Sequence, residues 1–368
     1  MDFLLTEEQQ LIGQAAREFA REALDPVAPA LDHDGTWPAE AVAALAGQDF
    51  LGLFLPAAHG GAEAGFVSLV EVLEALSRSS AAVAAILAHH ALAAYAVDRW
   101  GTEAQKRTWL PRLAKGEVLA AAALHEHGAS PLMAVHHPEG WVLEGVKGFV
   151  RNAGQAGLIV ASAATGEGRR SLFLVEAGAS GLETGAPAET MGLRGCPVAE
   201  LRFNSVVLPD AALLGPADGG AALEAEILAL AALANGAMTV GIGSAAVEHA
   251  AAYAKTRVQF GRPIAALEAI QTLLAEAATD CHLGRLALRH AARLLDEGQP
   301  FQVEAAMVQQ FLGRMGARIL QDTVQVEGGF GYSEFMPLPR LFRDMAGTTL
   351  RDAPADLPEA VIAASLLA

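Results

Sequence analysis

Cysteine is nearly absent from this chain of 368 residues. Cys196 and Cys281 make no CxxC pair, no zinc-ligand spacing and no disulfide framework. Charge is scarce as well. Only 18% of residues are Asp, Glu, Lys or Arg, against 52% hydrophobic, a balance that excludes a disordered chain. Cations are the rarer sign: 25 Lys and Arg stand against 42 Asp and Glu, for a net charge of -17. That excess argues against nucleic acid or an anionic membrane as partner, because both need Lys/Arg patches. An anionic ligand would need Arg or Lys placed locally. Aromatics are few, 6%, and alanine is abundant, which suggests helices with closely spaced axes. The N-terminus, MDFLLTEEQQ, lacks a basic segment and turns acidic at once, so no signal peptide is expected. One uncharged run, 227–247, is long enough to span a bilayer. It is mostly Ala and Gly with an Asn, and Glu224 and Glu226 precede it, so it reads as a buried bundle helix in a cytoplasmic protein.

What is present divides into three stretches. Residues 1–117 read as helical. Thr6-x-x-Gln9 and Thr102-x-x-Gln105 are capping boxes, in which a hydroxyl and an amide satisfy orphan amide hydrogens at a helix start. Pro26 and Pro29 are expected to end the first helix and Pro111 to interrupt or bend a later one. Residues 53–65 form a Gly-rich connection. The period changes in 118–222. Runs at 141–144, 158–163, 171–176 and 200–207 are β-compatible and separated by Gly, Pro and Asn. Strict alternation would put Leu201, Phe203 and Ser205 on one face, with Arg202, Asn204 and Val206 on the other. Residues 223–368 are helical again. The pattern predicts very long helices over 222–255, 266–297 and 303–327, the last stopped by Gly328-Gly329. Helices, then strands, then helices give an α+β plan of three domains: a helical domain, a small antiparallel β-barrel or sandwich, and a C-terminal four-helix bundle.

Several segments carry a resemblance. They are DFLGLFLPAAHGG (49–61), RWGTEAQKRTWLPRLAKGE (99–117), MGLRGCPVAELRFNSVVLPDAALLG (191–215), YAKTRVQFGRPI (253–264) and QVEGGFGY (325–332). In this order and spacing they resemble the acyl-CoA dehydrogenase family along essentially the whole chain. The resemblance implies an FAD flavoprotein of fatty acid metabolism. Its substrate would be an acyl-CoA thioester and its electron acceptor an electron-transfer flavoprotein or similar. It also implies a homotetramer or heterotetramer. By position in the family pattern, Arg257 and Phe260 would contact the pyrophosphate and adenine region of FAD across a subunit boundary. Arg suits that place because its planar fork bonds phosphate oxygens in pairs. Gln325 and Gly329 would approach the ADP part from the other subunit, and the glycines would let backbone come close. Leu124, Phe149 and Arg151 fall where the family meets the flavin ring.

Some positions depart from that pattern, as in a divergent member. The family loop resembling T-E-P-x-A-G-S-D reads His125-Glu126-His127-Gly128-Ala129-Ser130-Pro131-Leu132 here. Its histidines, with His136 and His137 nearby, lack any other ligand spacing, so no metal site is expected. Where the family has W-I-T-N this chain has Phe149-Val150-Arg151-Asn152. Phe149 keeps an aromatic for the isoalloxazine face. Arg151 replaces a hydroxyl that bonds flavin N5, and a guanidinium has no acceptor, so it must turn away or pair with an acid or phosphate. The family's base is a Glu spaced from an Arg-Asp pair; counted from Asp344, that place holds Asp352. The alternative base position falls near Ala231, and the neighbouring family Arg is replaced by Ala232. The implied reaction is removal of an α-proton with hydride transfer from Cβ to flavin N5. Two alternatives stay open: a half-site subunit of a heterotetramer, and a nitroalkane oxidase-like flavin oxidase that uses Asp as base.

Overall fold

The computed structural model describes residues 4–124, 126, 131–349 and 357–367. The first helices are α1 (Glu7–Phe19), α2 (Ala28–Asp34), α3 (Ala39–Gly47), α4 (Gly65–Ser79), α5 (Ala81–Trp100) and α6 (Glu103–Ala114). The strands follow as β1 (Ala120–Ala123), β2 (Met133–His137), β3 (Gly140–Arg151), β4 (Leu158–Gly166), β5 (Arg169–Glu176), β6 (Leu182–Thr184), β7 (Val198–Leu208) and β8 (Leu213–Leu214). Then come α7 (Gly220–Thr256), a hairpin of β9 (Val258–Gln259) and β10 (Arg262–Pro263), α8 (Glu268–Asp296), α9 (Gln302–Glu327), α10 (Leu338–Thr349) and α11 (Leu357–Leu367).

Both expected capping boxes form. The Thr6 and Thr102 hydroxyls accept from the amides of Gln9 and Gln105, whose side chains accept from the cap amides in return. Of the prolines, Pro29 departs from expectation. Pro26 lies beyond the π-helical turn Ala20–Leu24 that prolongs α1, whereas Pro29 starts α2. Proline fits there because the first helical turn has amide hydrogens to spare. Pro111 sits inside α6 without ending it. Helix α4 lacks a side-chain cap of its own. Asp296, at the far end of α8, supplies one: its carboxylate accepts from the Phe66 and Val67 amides at 2.5 and 3.0 Å.

The strands form one sheet in the order β6-β7-β3-β2-β4-β5-β8, with β1 added beside β4. It is mixed, not wholly antiparallel as expected, because β1 pairs with β4 in parallel from Ala120↔Leu158 to Ala123↔Ala161. Four alanines give little strand signal. The Ala120 amide donates to His90 Nδ1 at 3.2 Å, and the Ala120 carbonyl accepts from Asn152 Nδ2 at 3.3 Å. Tertiary bonds therefore hold the strand in place. The face assignment along β7 also needs correction. Leu201 and Phe203 are buried, but so is Val206, while Ser205 is exposed. Ser205 adopts φ 53° and a register shift follows, so one extra residue turns Val206 inward. Glu144 holds the bulge by accepting from the Ser205 amide and hydroxyl at 2.6 and 2.9 Å.

Strands β4 and β5 are buried on both faces. Leu158, Val160, Leu172 and Leu174 join the core shared with the helices, while Ile159, Ala161, Phe173 and Val175 fill a second core inside the β layer. Helices α7, α8, α9 and α10 pack together, with α11 on α9. Among the described residues two helices are long and apolar enough to cross a membrane, α5 and α7, and they bury 94% and 89% of their apolar windows inside the fold.

Candidate flavin and acyl-CoA site

At the C-terminal end of α7 the chain leaves the helix at Arg257 and forms the β9–β10 hairpin. Phe260 and Gly261 make its two-residue turn with φ 53° and 77°. A left-handed pair matches the primed turns that suit a twisted hairpin. The turn presents the Phe260 ring outward, 88% exposed. Behind it, the Arg257 guanidinium carbon lies 5.8 Å from the Phe330 ring centre. Helix α9 ends at Gly328, whose φ 62° and ψ -136° belong to glycine. A Cβ on Gly328 or Gly329 would meet nothing within 4 Å of this subunit. The glycine backbone is therefore open to something outside the chain.

Arg257, Gln259, Tyr253, Glu327, Gly329 and Phe330 line one cavity of about 450 Å³. Gln325 lines an adjoining cavity of about 690 Å³ with Tyr332, Phe342 and Arg343, and Gly328 borders both. The structure thus brings Arg257 and Gly329 together. Gln325 lies next door, and Phe260 projects beyond. The donor set fits the ADP part of FAD: a cation for phosphate, aromatics for a base, and open glycine backbone.

The residues expected at the flavin ring, Leu124, Phe149 and Arg151, gather where β1 and β3 end. Leu124 is buried and its carbonyl accepts from Lys147 Nζ at 2.8 Å. Phe149, at φ 52°, leaves 48% of its surface open. The Arg151 guanidinium donates to the Gly347 carbonyl of α10 at 3.3 Å. Asn152 is wholly buried, and its Nδ2 donates to the Ile86 and Ala120 carbonyls, tying α5 and β1 to the end of β3.

Sequence reasoning left Lys147 and Glu126 unassigned. Lys147 is fully buried, and its Nζ reaches Glu126 at 3.1 Å. Arg170 joins the same carboxylate at 2.7 Å and Glu224 at 3.0 Å. Burial pushes the Lys147 ammonium down to about 8, against the pull of Glu126. Burial opposes ionisation of Glu126 too, but bonds from Arg170 and Lys147 win and its carboxyl lies below the usual range. No motif or spacing in the sequence pointed to either.

Asp352, His125 and His127 lie outside the described residues. Ala231 and Ala232 are buried on α7 and offer no acid or cation at the alternative base position. Burial raises the Asp344 carboxyl to about 6, but the Leu193 amide occupies it at 2.7 Å. His136 pairs with Asp210 at 2.8 Å. Among the described residues no three His, Cys, Asp or Glu side chains are grouped to hold a metal ion.

Known proteins resemble the chain along its whole length. The acyl-CoA dehydrogenase N-terminal, middle and C-terminal domain models match residues 6–117, 127–206 and 218–367. Acryloyl-CoA reductase (NADH) of Anaerotignum propionicum is 34% identical, covering 100% of this chain and 96% of its own. The three-dimensional structure of butyryl-CoA dehydrogenase from Megasphaera elsdenii superposes with TM-score 0.97 at 30% identity, covering 100% of both chains. A chain from a structure described as the electron transferring flavoprotein of Acidaminococcus fermentans gives TM-score 0.96 at 30% identity, again over 100% of both. With matches of this extent, the expectation of a divergent member is not borne out. The chain belongs to the acyl-CoA dehydrogenase family, the FAD-dependent oxidoreductases whose fold it shares from end to end.

Proposed function

We propose that this protein oxidises or reduces the α,β bond of a short acyl-CoA thioester as a cytoplasmic tetramer, exchanging electrons with an electron-transfer flavoprotein. The observation that carries the reading is the cavity that joins Arg257, Phe330 and Gly329 beneath an outward Phe260. A nucleotide site that faces out of its own subunit calls for a second copy. Full-length similarity to a butyryl-CoA dehydrogenase and an acryloyl-CoA reductase supports the substrate class. Similarity to a chain from an electron transferring flavoprotein structure supports the acceptor.

Arg257 would hold the pyrophosphate, with Gln325 and Gly329 beside the ADP part. Leu124, Phe149 and Arg151 would border the flavin ring. FAD, when bound, supplies the acceptor for hydride leaving Cβ. Asp352 would take the α-proton, for which a carboxylate partly withdrawn from water is suited. Lys147 fixes the Leu124 carbonyl, and so the edge from which β1 meets the ring site. Arg151, held by the Gly347 carbonyl, would stay clear of the flavin position where only an acceptor could serve.

The purified chain should be yellow and bleach anaerobically on addition of butyryl-CoA. Asp352→Asn should keep the colour and lower the bleaching rate by about a hundredfold or more. A colourless protein that takes up no added FAD would point to a half-site subunit. Bleaching by a nitroalkane and not by the thioester would move the reaction to another carbon acid.

A further inference from the structure

Glu327 is the last residue of α9 and lines the cavity that holds Arg257. Its side chain is buried, with 3% of the residue exposed, yet neither carboxylate oxygen has a hydrogen-bond partner within the subunit. Buried carboxylates are rarely left so, because an unsatisfied charge away from water is costly. Among the described residues none donates to it, and Arg257, on the same wall, does not close on it. The rest of the wall includes Tyr253, Gln259, Phe330, Ser333 and open glycine backbone. A carboxylate is an acceptor only, so its missing partner must be a donor. A phosphate would repel it and belongs with Arg257. The neutral donors of a nucleotide, its ribose hydroxyls and base amino group, are the groups that complement it.

We propose that Glu327 is a further nucleotide-binding residue, which accepts hydrogen bonds from the adenosine half of the ligand whose phosphates Arg257 takes. The inference rests on the reading that this cavity receives the ADP part of FAD. It assigns separate work to the two charged groups of one wall: Arg257 selects phosphate, and Glu327 selects the adenosine donors. Gly328 and Gly329 leave the space between them free of side chains.

The test is the dissociation constant of FAD for the full-length apoprotein, followed by quenching of flavin fluorescence, for wild type, Glu327→Gln and Glu327→Leu. Glu327→Gln keeps size and one acceptor oxygen and should weaken FAD about tenfold. Glu327→Leu, with no acceptor, should weaken it by more, on the order of a hundredfold, as loss of charge-assisted bonds implies. FMN, which lacks the adenosine, should bind all three proteins alike. ADP should compete with FAD for wild type more strongly than for either variant. Unchanged FAD affinity in both variants, with thermal stability equal to or above wild type, overturns the assignment and leaves Glu327 as a buried acid of the helix end. Equal loss of FAD and FMN affinity overturns it too, because the effect would then come from the ring side. Should wild type itself bind neither FAD nor ADP, the underlying site reading fails, which is a different result from failure of Glu327 alone.

Discussion

At the scale of single residues, the buried charges decide most. Lys147 is wholly enclosed and bonded to the Leu124 carbonyl and to Glu126, which Arg170 also holds. Lys147→Met keeps much of the volume and deletes the charge, leaving the Glu126 carboxylate with one cation where it had two. Breaking a buried pair from one side costs about 3 kcal/mol or more. The double variant Lys147→Met/Glu126→Gln should recover part of that loss in thermal unfolding; a double variant as unstable as the single one would count against the pairing. Asp344 gives a pH dependence. Its carboxyl lies at about 6 because burial raises it from 3.8. A raised acid binds its proton more tightly in the folded state, so its contribution is complete below the unfolded value and is lost as pH climbs through the folded one. The shift corresponds to about 3 kcal/mol by neutrality. Asp344→Asn should therefore gain on wild type between pH 4 and pH 6 and hold that advantage above it; parallel stability curves for the two proteins would refute the assignment. None of this was legible in the sequence. Lys147 and Asp344 look like any charged residue in a pattern, and only the fold shows that water cannot reach them.

At the scale of elements, the sequence was more informative. Long helices expected over 222–255, 266–297 and 303–327 are α7, α8 and α9 within a few residues. Periodicity and glycine stops specify such elements locally. The alanine strand β1 and the Ser205 bulge escaped notice because each is imposed by neighbours: His90 and Asn152 for the strand, Glu144 for the bulge. Helix contacts show the same dependence. A Cβ on Gly241, in α7, would overlap the Ser77 hydroxyl and the Glu74 carbonyl of α4, so the two helices cross at a separation that only glycine permits. Gly313, in α9, has nothing within 4 Å of its would-be Cβ. The same substitution should thus have opposite signs. Gly241→Ala should cost about 1–3 kcal/mol or more through overpacking. Gly313→Ala should gain about 0.5–1 kcal/mol from reduced backbone entropy. Urea unfolding of both variants checks this, and a loss of stability at Gly313 as large as that at Gly241 would show that helix spacing is not what glycine provides.

At the scale of the whole molecule, the outward end of the C-terminal bundle is the informative region. Phe260, Tyr332 and Phe335 are 88%, 87% and 71% exposed, and the Phe330 and Phe335 rings stand 5.8 Å apart. A grouped aromatic surface of this kind marks an interaction site more than a free surface. Phe330 and Phe335 line the cavity that holds Arg257 and Gly329, so on the proposed reading assembly and nucleotide binding would share residues. The charge works against assembly. Each chain carries -17, and like-charged subunits repel until salt screens them. The Debye length falls from about 30 Å at 0.01 M to about 8 Å at 0.15 M ionic strength, less than the size of a subunit. Sedimentation should accordingly show tetramers at physiological salt and a growing share of smaller species as salt is withdrawn. Phe260→Ser should shift that boundary toward higher salt and weaken FAD binding in step, since on the proposed reading removing the ring strips apolar surface from the interface that would complete the cavity. A Phe260→Ser protein with wild-type mass at every salt concentration and wild-type flavin content would separate the two properties, and would place the nucleotide wholly within one subunit.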